Sequence, residues 1–296
     1  MVNLHSTKSY FSINLLILLT LGGLLAVAAE LPYGGWIQIP LLSIVWWRLT
    51  LDSYSPIKSF CYLGLAFGVG YFVIALWWLY ISLHDVGGIN SLSSCIAVLL
   101  VALYLAIYFS CATLVIRLFK NSKLTGLYLG GSWVIMEFLR GYIFTGFPWM
   151  SFAETQFNGP FGPIAPLFGG LACTFLVMWI SWEILQLGKH TISSIASIAC
   201  VLALSQLASL TSFTKPVGEP ISVRLIQGNF EQRLKFDPLA ITQQIHFYTS
   251  EIKKEAADLI ITPETAFPWP QNNLPVGLLN YLQDFSNASS SNLLLG

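Results

Sequence analysis

Charge is what this sequence has least of. Lys, Arg, Asp and Glu make up 9% of its 296 residues, against about 25% in an ordinary globular protein. The formal net charge is zero, so no basic field recruits nucleic acid. Paired cysteines are missing as well. The five, Cys61, Cys95, Cys111, Cys173 and Cys200, stand singly, without a CxxC or a Cys/His spacing, and the four histidines are scattered. That disfavours a metal site, and no cofactor is expected. No internal repeat is visible, which argues against an inverted-repeat transporter. What fills the chain instead is apolar, 55% of it, and that excludes a disordered or fibrous protein.

The few charges are unevenly placed. Residues 1–211 hold 8 Lys/Arg and 6 Asp/Glu, whereas the final 85 positions hold 6 and 8. The first part reads as a polytopic α-helical membrane bundle and residues 212–296 as a short polar domain. A span needs about 20 mostly apolar residues. Seven stretches come close, at approximately 11–29, 37–51, 59–83, 92–119, 124–140, 163–187 and 191–211, the second and fifth being short. Ala26-Val27-Ala28 resembles a signal-peptide cleavage site, but six further stretches favour an uncleaved first span. With a cytoplasmic N-terminus, Lys8, Arg48, Lys58, Arg117, Lys120, Lys123 and Lys189 lie inside and Arg140 alone outside, as the positive-inside rule prefers. Residues 212–296 then lie outside the cytoplasm.

Most features of the spans have ordinary readings. Trp36, Trp46, Trp47, Trp77, Trp78 and Tyr80 sit near span ends, as an aromatic belt does. Gly64 and Gly68 form a small-xxx-small pair suited to close helix packing. Glu183, near a cytoplasmic end, is able to snorkel. The segment from Glu137 to Trp149 is different. Glu137 and Arg140, three apart at a helix end, read as a local ion pair. Alternatively, the outward arginine meets a lipid phosphate, which a guanidinium binds bidentately. Phe144 to Trp149 joins a glycine, a proline and three aromatics, either as a belt around a turn or as a rigid loop shaping a lipid-tail groove.

In the polar part, residues 221–230 alternate like a strand, and Pro238 opens a helix to about Ala257 with Ile241, Ile245, Tyr248 and Ile252 on one face. Residues 258–262 read as a short buried strand, 276–285 as a helix and 292–295 as a third strand. The order β-α-β-α-β is that of an α/β layer with parallel strands. Glu264 follows the second strand, at the end where such folds place catalytic groups. By itself it is a loop carboxylate. The stiff, apolar neighbours Pro263, Ala266, Phe267, Pro268, Trp269 and Pro270 disfavour its charged form, which suits a working base. The sequon Asn287-Ala-Ser is weak evidence for glycosylation.

Taken together, these motifs resemble bacterial apolipoprotein N-acyltransferases. The matching stretches are Phe67-Gly-Val-Gly-Tyr-Phe through Tyr80, Leu139-Arg-Gly through Phe144-Thr-Gly-Phe-Pro-Trp149, Val223 through Gln227-Gly-Asn229, and Pro263-Glu-Thr-Ala266. The resemblance implies a bundle of eight spans in the inner membrane, with a nitrilase-like αββα domain held outside it, of which residues 212–296 are the first part. It implies a phospholipid as acyl donor and an apolipoprotein as acceptor. A cysteine thiolate takes the acyl chain as a thioester, which the amine of diacylglyceryl-cysteine then attacks. Glu264 matches the base, and Arg140, Phe147 and Trp149 match a lipid-contacting motif. Lys235 matches a family lysine, followed here by Phe236, a further substrate- or lipid-binding position, where the family often has tryptophan. The family's catalytic lysine and cysteine lie on later strands than these 296 residues hold, so the chain alone is expected to be inactive. Two other readings stay open, a non-catalytic membrane protein that binds lipid or lipoprotein and a small-molecule transporter.

Overall fold

The computed structural model describes residues 4–210, 212, 214–231, 234 and 237–296, with side chains from residue 10 onward. The chain divides into two compact units, Met1–Phe213 and Thr214–Gly296.

The first unit is helical. Its long elements are α1 (Leu4–Ala29), α2 (Gly34–Leu51), α3 (Ile57–Ala75), α5 (Ser91–Leu118), α6 (Thr125–Arg140), α7 (Ala165–Gln186) and α8 (Thr191–Ser209). Tyr10–Ala29, Ile57–Ala75, Ser91–Leu118, Gly162–Gln186 and Thr191–Ser209 are long and apolar enough to cross a membrane. The helices α2 and α6 are not among these, and they are the two that the sequence marks as short. The expected stretch 59–83 is not one helix. It breaks at Leu76 (ψ 14°) into α3 and the short α4 (Trp77–Ile81), which runs into a π-turn at Ser82–Val86. There the adjacent indoles of Trp77 and Trp78 turn outward, and Trp77 stacks on Tyr80 at 4.8 Å.

Lipid tails are as apolar as leucine, so such helices associate by close packing and not by burial from water. Glycines on two faces of α3 permit this. A Cβ on Gly70 would lie 1.9 Å from the Leu19 carbonyl oxygen of α1, and one on Gly68 would lie 2.7 Å from Ala106 of α5. The Gly64/Gly68 pair thus serves close approach to α5. Behind it Trp46, Phe67, Phe109, Trp133 and Phe152 form a buried aromatic core, with Phe109 and Trp133 centred 4.5 Å apart. The fully buried Trp46 indole has a partner, its Nε1 donating to Ser181 Oγ over 2.7 Å.

The second unit contains β1 (Val223–Leu225), α9 (Pro238–Lys254), β2 (Leu259–Ile261), α10 (Leu278–Ser289) and β3 (Asn292–Leu294). The strands pair in parallel in the order β1-β2-β3, with Arg224 opposite Ile260 and Ile260 opposite Leu293. The alternation expected of an α/β layer is therefore present. The strand expected over 221–230 pairs at 223–225, because β2, its partner among the described residues, is itself three residues long. Asp237 starts α9 by accepting from the N–H groups of Leu239 and Ala240, with Pro238 at the first helical position. The apolar face of α9, including Tyr248 and Ile252, packs with Ile226, Ile260, Ala266 and Leu282.

Candidate functional site

Two sets of residues matter, one in each unit. In the helical unit, α6 ends at Arg140 and the chain turns sharply. Phe144, Thr145 and Met150 have φ of 53°, 71° and 63°, a left-handed conformation that L-residues adopt at a cost of order 1–3 kcal/mol each. Gly146, at φ 85°, is required. A Cβ there would sit 2.0 Å from the Gly141 carbonyl oxygen. Arg140 holds this loop at two points. Its carbonyl oxygen accepts from the Phe147 N–H (2.8 Å), and its Nη1 donates to the Trp149 carbonyl oxygen (2.7 Å). The guanidinium is 2% exposed and lies over the Phe72 ring. In this structure it is the loop's anchor.

The expected local ion pair with Glu137 does not form. Glu137 instead accepts from Ser151 Oγ and from Thr174 Oγ1 (3.4 Å), tying α6 to the far end of the loop and to α7. Among the described residues the carboxylate–cation contact within 4.0 Å is that of Glu251 and Lys254. The anchored loop presents aromatics outward. Phe144 is 83% and Trp149 55% exposed. Phe147 packs edge-on against Trp149 at 4.9 Å, and Trp149 against Trp78 at 6.4 Å.

In the second unit, Glu264 stands just beyond the carboxyl end of β2, the central strand. It lines a cleft of about 230 Å³ together with Gln227, Gly228, Asn229 and Gln244. Two motif stretches far apart in sequence, Gln227-Gly-Asn229 and Pro263-Glu-Thr265, are thereby brought to one place. The Glu264 carboxylate is exposed, contrary to the apolar setting expected. Of its neighbours Ala266 is buried, at 1% exposure, whereas Pro263 and Pro270 are exposed as well.

Sequence reasoning missed Gln244. It is the buried polar residue on the apolar face of α9, and its Nε2 donates to the carbonyl oxygens of Thr265 (2.6 Å) and Ala266 (3.2 Å). The Glu264 turn is held from outside by this amide, and Thr265 has φ 56°. The available signal was a glutamine interrupting a 3.6-residue apolar stripe. The neighbouring Tyr248 hydroxyl accepts from the Gly228 N–H (3.2 Å). Phe236, together with Lys235, lies outside the described residues.

With this geometry in place, the comparisons decide the family. The model of the apolipoprotein N-acyltransferase N-terminal domain matches residues 22–182. The chain belongs to that family. It is 32% identical over 286 residues to the apolipoprotein N-acyltransferase of Ralstonia nicotianae, covering 93% of this chain and 54% of that protein. Those of Haemophilus influenzae and Pasteurella multocida are 34% and 31% identical, each covering 85% of this chain and 50% of their own length. The chain spans about half the length of the curated relatives it matches. The family domain takes in the Arg140 loop, and the first relative's alignment is long enough to include the Glu264 cleft.

Proposed function

We propose that this chain supplies the membrane bundle and the general base of an enzyme that moves an acyl chain from a phospholipid to the N-terminal amine of diacylglyceryl-cysteine in apolipoproteins. The observation that carries this reading is the place of Glu264. It follows the central parallel strand of an α/β unit joined to a membrane domain of this family, in a cleft shared with Gln227–Asn229. Residues 212–296 then form the first part of a nitrilase-like αββα domain outside the cytoplasm. All seven long helices span the inner membrane in this reading, α2 and α6 as short or tilted spans.

The division of labour follows from chemistry. A carboxylate at 264 accepts the proton of a thiol nucleophile and returns it to the lysophospholipid oxygen that leaves as the thioester forms, then accepts the proton of the attacking amine and returns it to the departing thiolate. Residues 212–296 contain no cysteine, and the resemblance assigns the thiol to a later segment. Phe147 and Trp149 line the approach of a lipid tail, and Arg140 fixes their backbone.

The test is a chimera joining residues 1–296 to the C-terminal half of the Ralstonia nicotianae relative, expressed in cells depleted of their own N-acyltransferase. Mass spectrometry of lipoproteins should show the triacylated form, and Glu264→Gln should remove it. A chimera that inserts in the membrane and binds phospholipid without triacylation would favour the non-catalytic reading.

A further inference from the structure

At the end of the bundle opposite the Arg140 loop, α6 and α8 begin beside a cavity of about 420 Å³. Lys120, Lys123 and Lys189 line it, against one carboxylate, Glu183. Glu183 is already engaged, accepting from Trp179 Nε1 (3.2 Å) and Ser194 Oγ (2.8 Å). Neither α6 nor α8 has a side-chain cap at its start. Their first-turn N–H groups therefore add partial positive charge to a basic cavity. The Ser122 hydroxyl, which accepts from the Leu124 N–H (3.1 Å), keeps its hydrogen to donate, whereas that of Ser193 is given to the His190 carbonyl oxygen. The chemistry is that of a phosphate site.

A second feature adjoins it. Between α7 and α8 runs an apolar groove of about 920 Å³, lined along its length by residues such as Leu167, Phe168, Leu176, Val201 and Leu204. Trp179 and Ser197 line both the cavity and the groove, so the two lie side by side. The helix α7 breaks at Gly169 (φ 76°, ψ 173°), and its regular part from Gly170 to Trp179 rises by about 13 Å at roughly 1.5 Å per residue, with Leu167 and Phe168 beyond the break. That is close to the roughly 15 Å of one leaflet's hydrocarbon. A basic head cavity beside an apolar trough of that length has the shape of one amphiphile.

We propose that α6, α7 and α8 hold an anionic phospholipid, its phosphate among Lys120, Lys123 and Lys189 and one acyl chain in the α7–α8 groove. The site is separate from the aromatic loop after Arg140, since Lys123 precedes α6 and Arg140 ends it. Under the orientation proposed above, this lipid belongs to the cytoplasmic leaflet, whereas an acyl donor would be drawn from the other.

The purified chain is incorporated into phosphatidylcholine nanodiscs with and without phosphatidylglycerol, and native mass spectrometry reads the lipid it retains. Phosphatidylglycerol should be kept in preference to phosphatidylcholine. Lys123→Gln with Lys189→Gln, both exposed positions, should lower that retention by roughly tenfold or more. Cys200→Trp, which fills the groove, should lower retention of the lipid while leaving binding of inorganic phosphate in detergent unchanged. Equal retention of the two lipids, or retention indifferent to the lysine changes, overturns the proposal. Inorganic phosphate bound as tightly as the lipid overturns it as well, because the groove would then contribute nothing.

Discussion

Arg140 and Trp149 are joined by a side-chain to main-chain hydrogen bond of 2.7 Å that closes the turn after α6. The arginine touches backbone, so the identity of residue 149 does not make the bond, and the indole is left free to face outward at 55% exposure. A charged donor to a carbonyl oxygen is worth about 1.5–3 kcal/mol, more than a neutral pair. Phe144, Thr145 and Met150, at about 1–3 kcal/mol each, together cost more than this one bond contributes, so the bond from the Phe147 N–H to the Arg140 carbonyl oxygen and the packing of the loop hold it as well.

Arg140→Ala in the chimera should therefore slow formation of the acyl-enzyme by roughly tenfold or more, through a loosened loop and an unpaired carbonyl. Single-turnover measurement of acyl transfer from phospholipid checks this. Unchanged kinetics would mean that the loop keeps its form through the Phe147–Arg140 backbone bond alone.

Gly146→Ala should be more damaging than its size implies. The new methyl would fall 2.0 Å from the Gly141 carbonyl oxygen, at a φ of 85°. Gly131→Ala is the control, since nothing lies within 4 Å of its Cβ position. Thermal unfolding in detergent should show a loss of about 1–3 kcal/mol for the first variant and no loss for the second. Equal effects would show that the loop has no fixed geometry.

The long helices were legible because an apolar run of span length has few alternatives in lipid. Glu264 was legible as the residue after the second strand of a β-α-β-α-β order. The Arg140 anchor was not. A spacing of three on a helix advertises Glu137 as the partner, whereas the actual acceptor is a main-chain oxygen nine residues on, and backbone acceptors leave no mark in sequence. The break at Leu76 escaped for a related reason, since Trp77 and Trp78 continue the apolar run whichever way the chain turns. Gln244 was visible only as an exception in an apolar stripe, and its meaning depended on a turn 21 residues later.

Gln244→Leu keeps the size and removes both donors to Thr265 and Ala266. In the chimera it should lower kcat for acyl transfer by roughly tenfold while KM for phospholipid stays near its wild-type value, because it acts on the Glu264 turn and not on the lipid loop. A raised KM with kcat intact would assign Gln244 to binding instead.

The orientation rests on loop lysines and arginines alone. An alkaline phosphatase fusion after Asn287 should be active and one after Lys123 inactive. The reverse pattern would place both the cavity lined by Lys123 and the Glu264 cleft on the wrong sides for the functions proposed.

Asp258 gives the second unit a pH dependence with a definite sign. Its Oδ2 accepts from the Ser222 N–H and from the Ser222 hydroxyl, each at 2.7 Å, while the same hydroxyl accepts from the Asp258 N–H at 2.9 Å. These bonds, the backbone N–H foremost, hold the carboxyl below its ordinary value of 3.8. The unfolded chain then binds the proton more tightly than the folded one. The stabilisation is fully present above the ordinary carboxylate range and fades as pH falls through that range toward the lowered folded value. Asp258→Ala removes it and weakens the tie between the starts of β1 and β2, leaving the Leu259 N–H bond to the Ser222 carbonyl oxygen (3.1 Å) and the residue-258 N–H bond to the Ser222 hydroxyl (2.9 Å). Limited proteolysis of residues 214–296 within the intact chain should show the variant cleaved faster than wild type at neutral pH. The difference should shrink below about pH 4, where wild type loses the same contribution. A difference that persisted undiminished down to about pH 2 would mean that the neutral acid holds Ser222 as well as the carboxylate does, and that the charge on Asp258 contributes nothing to this end of the sheet.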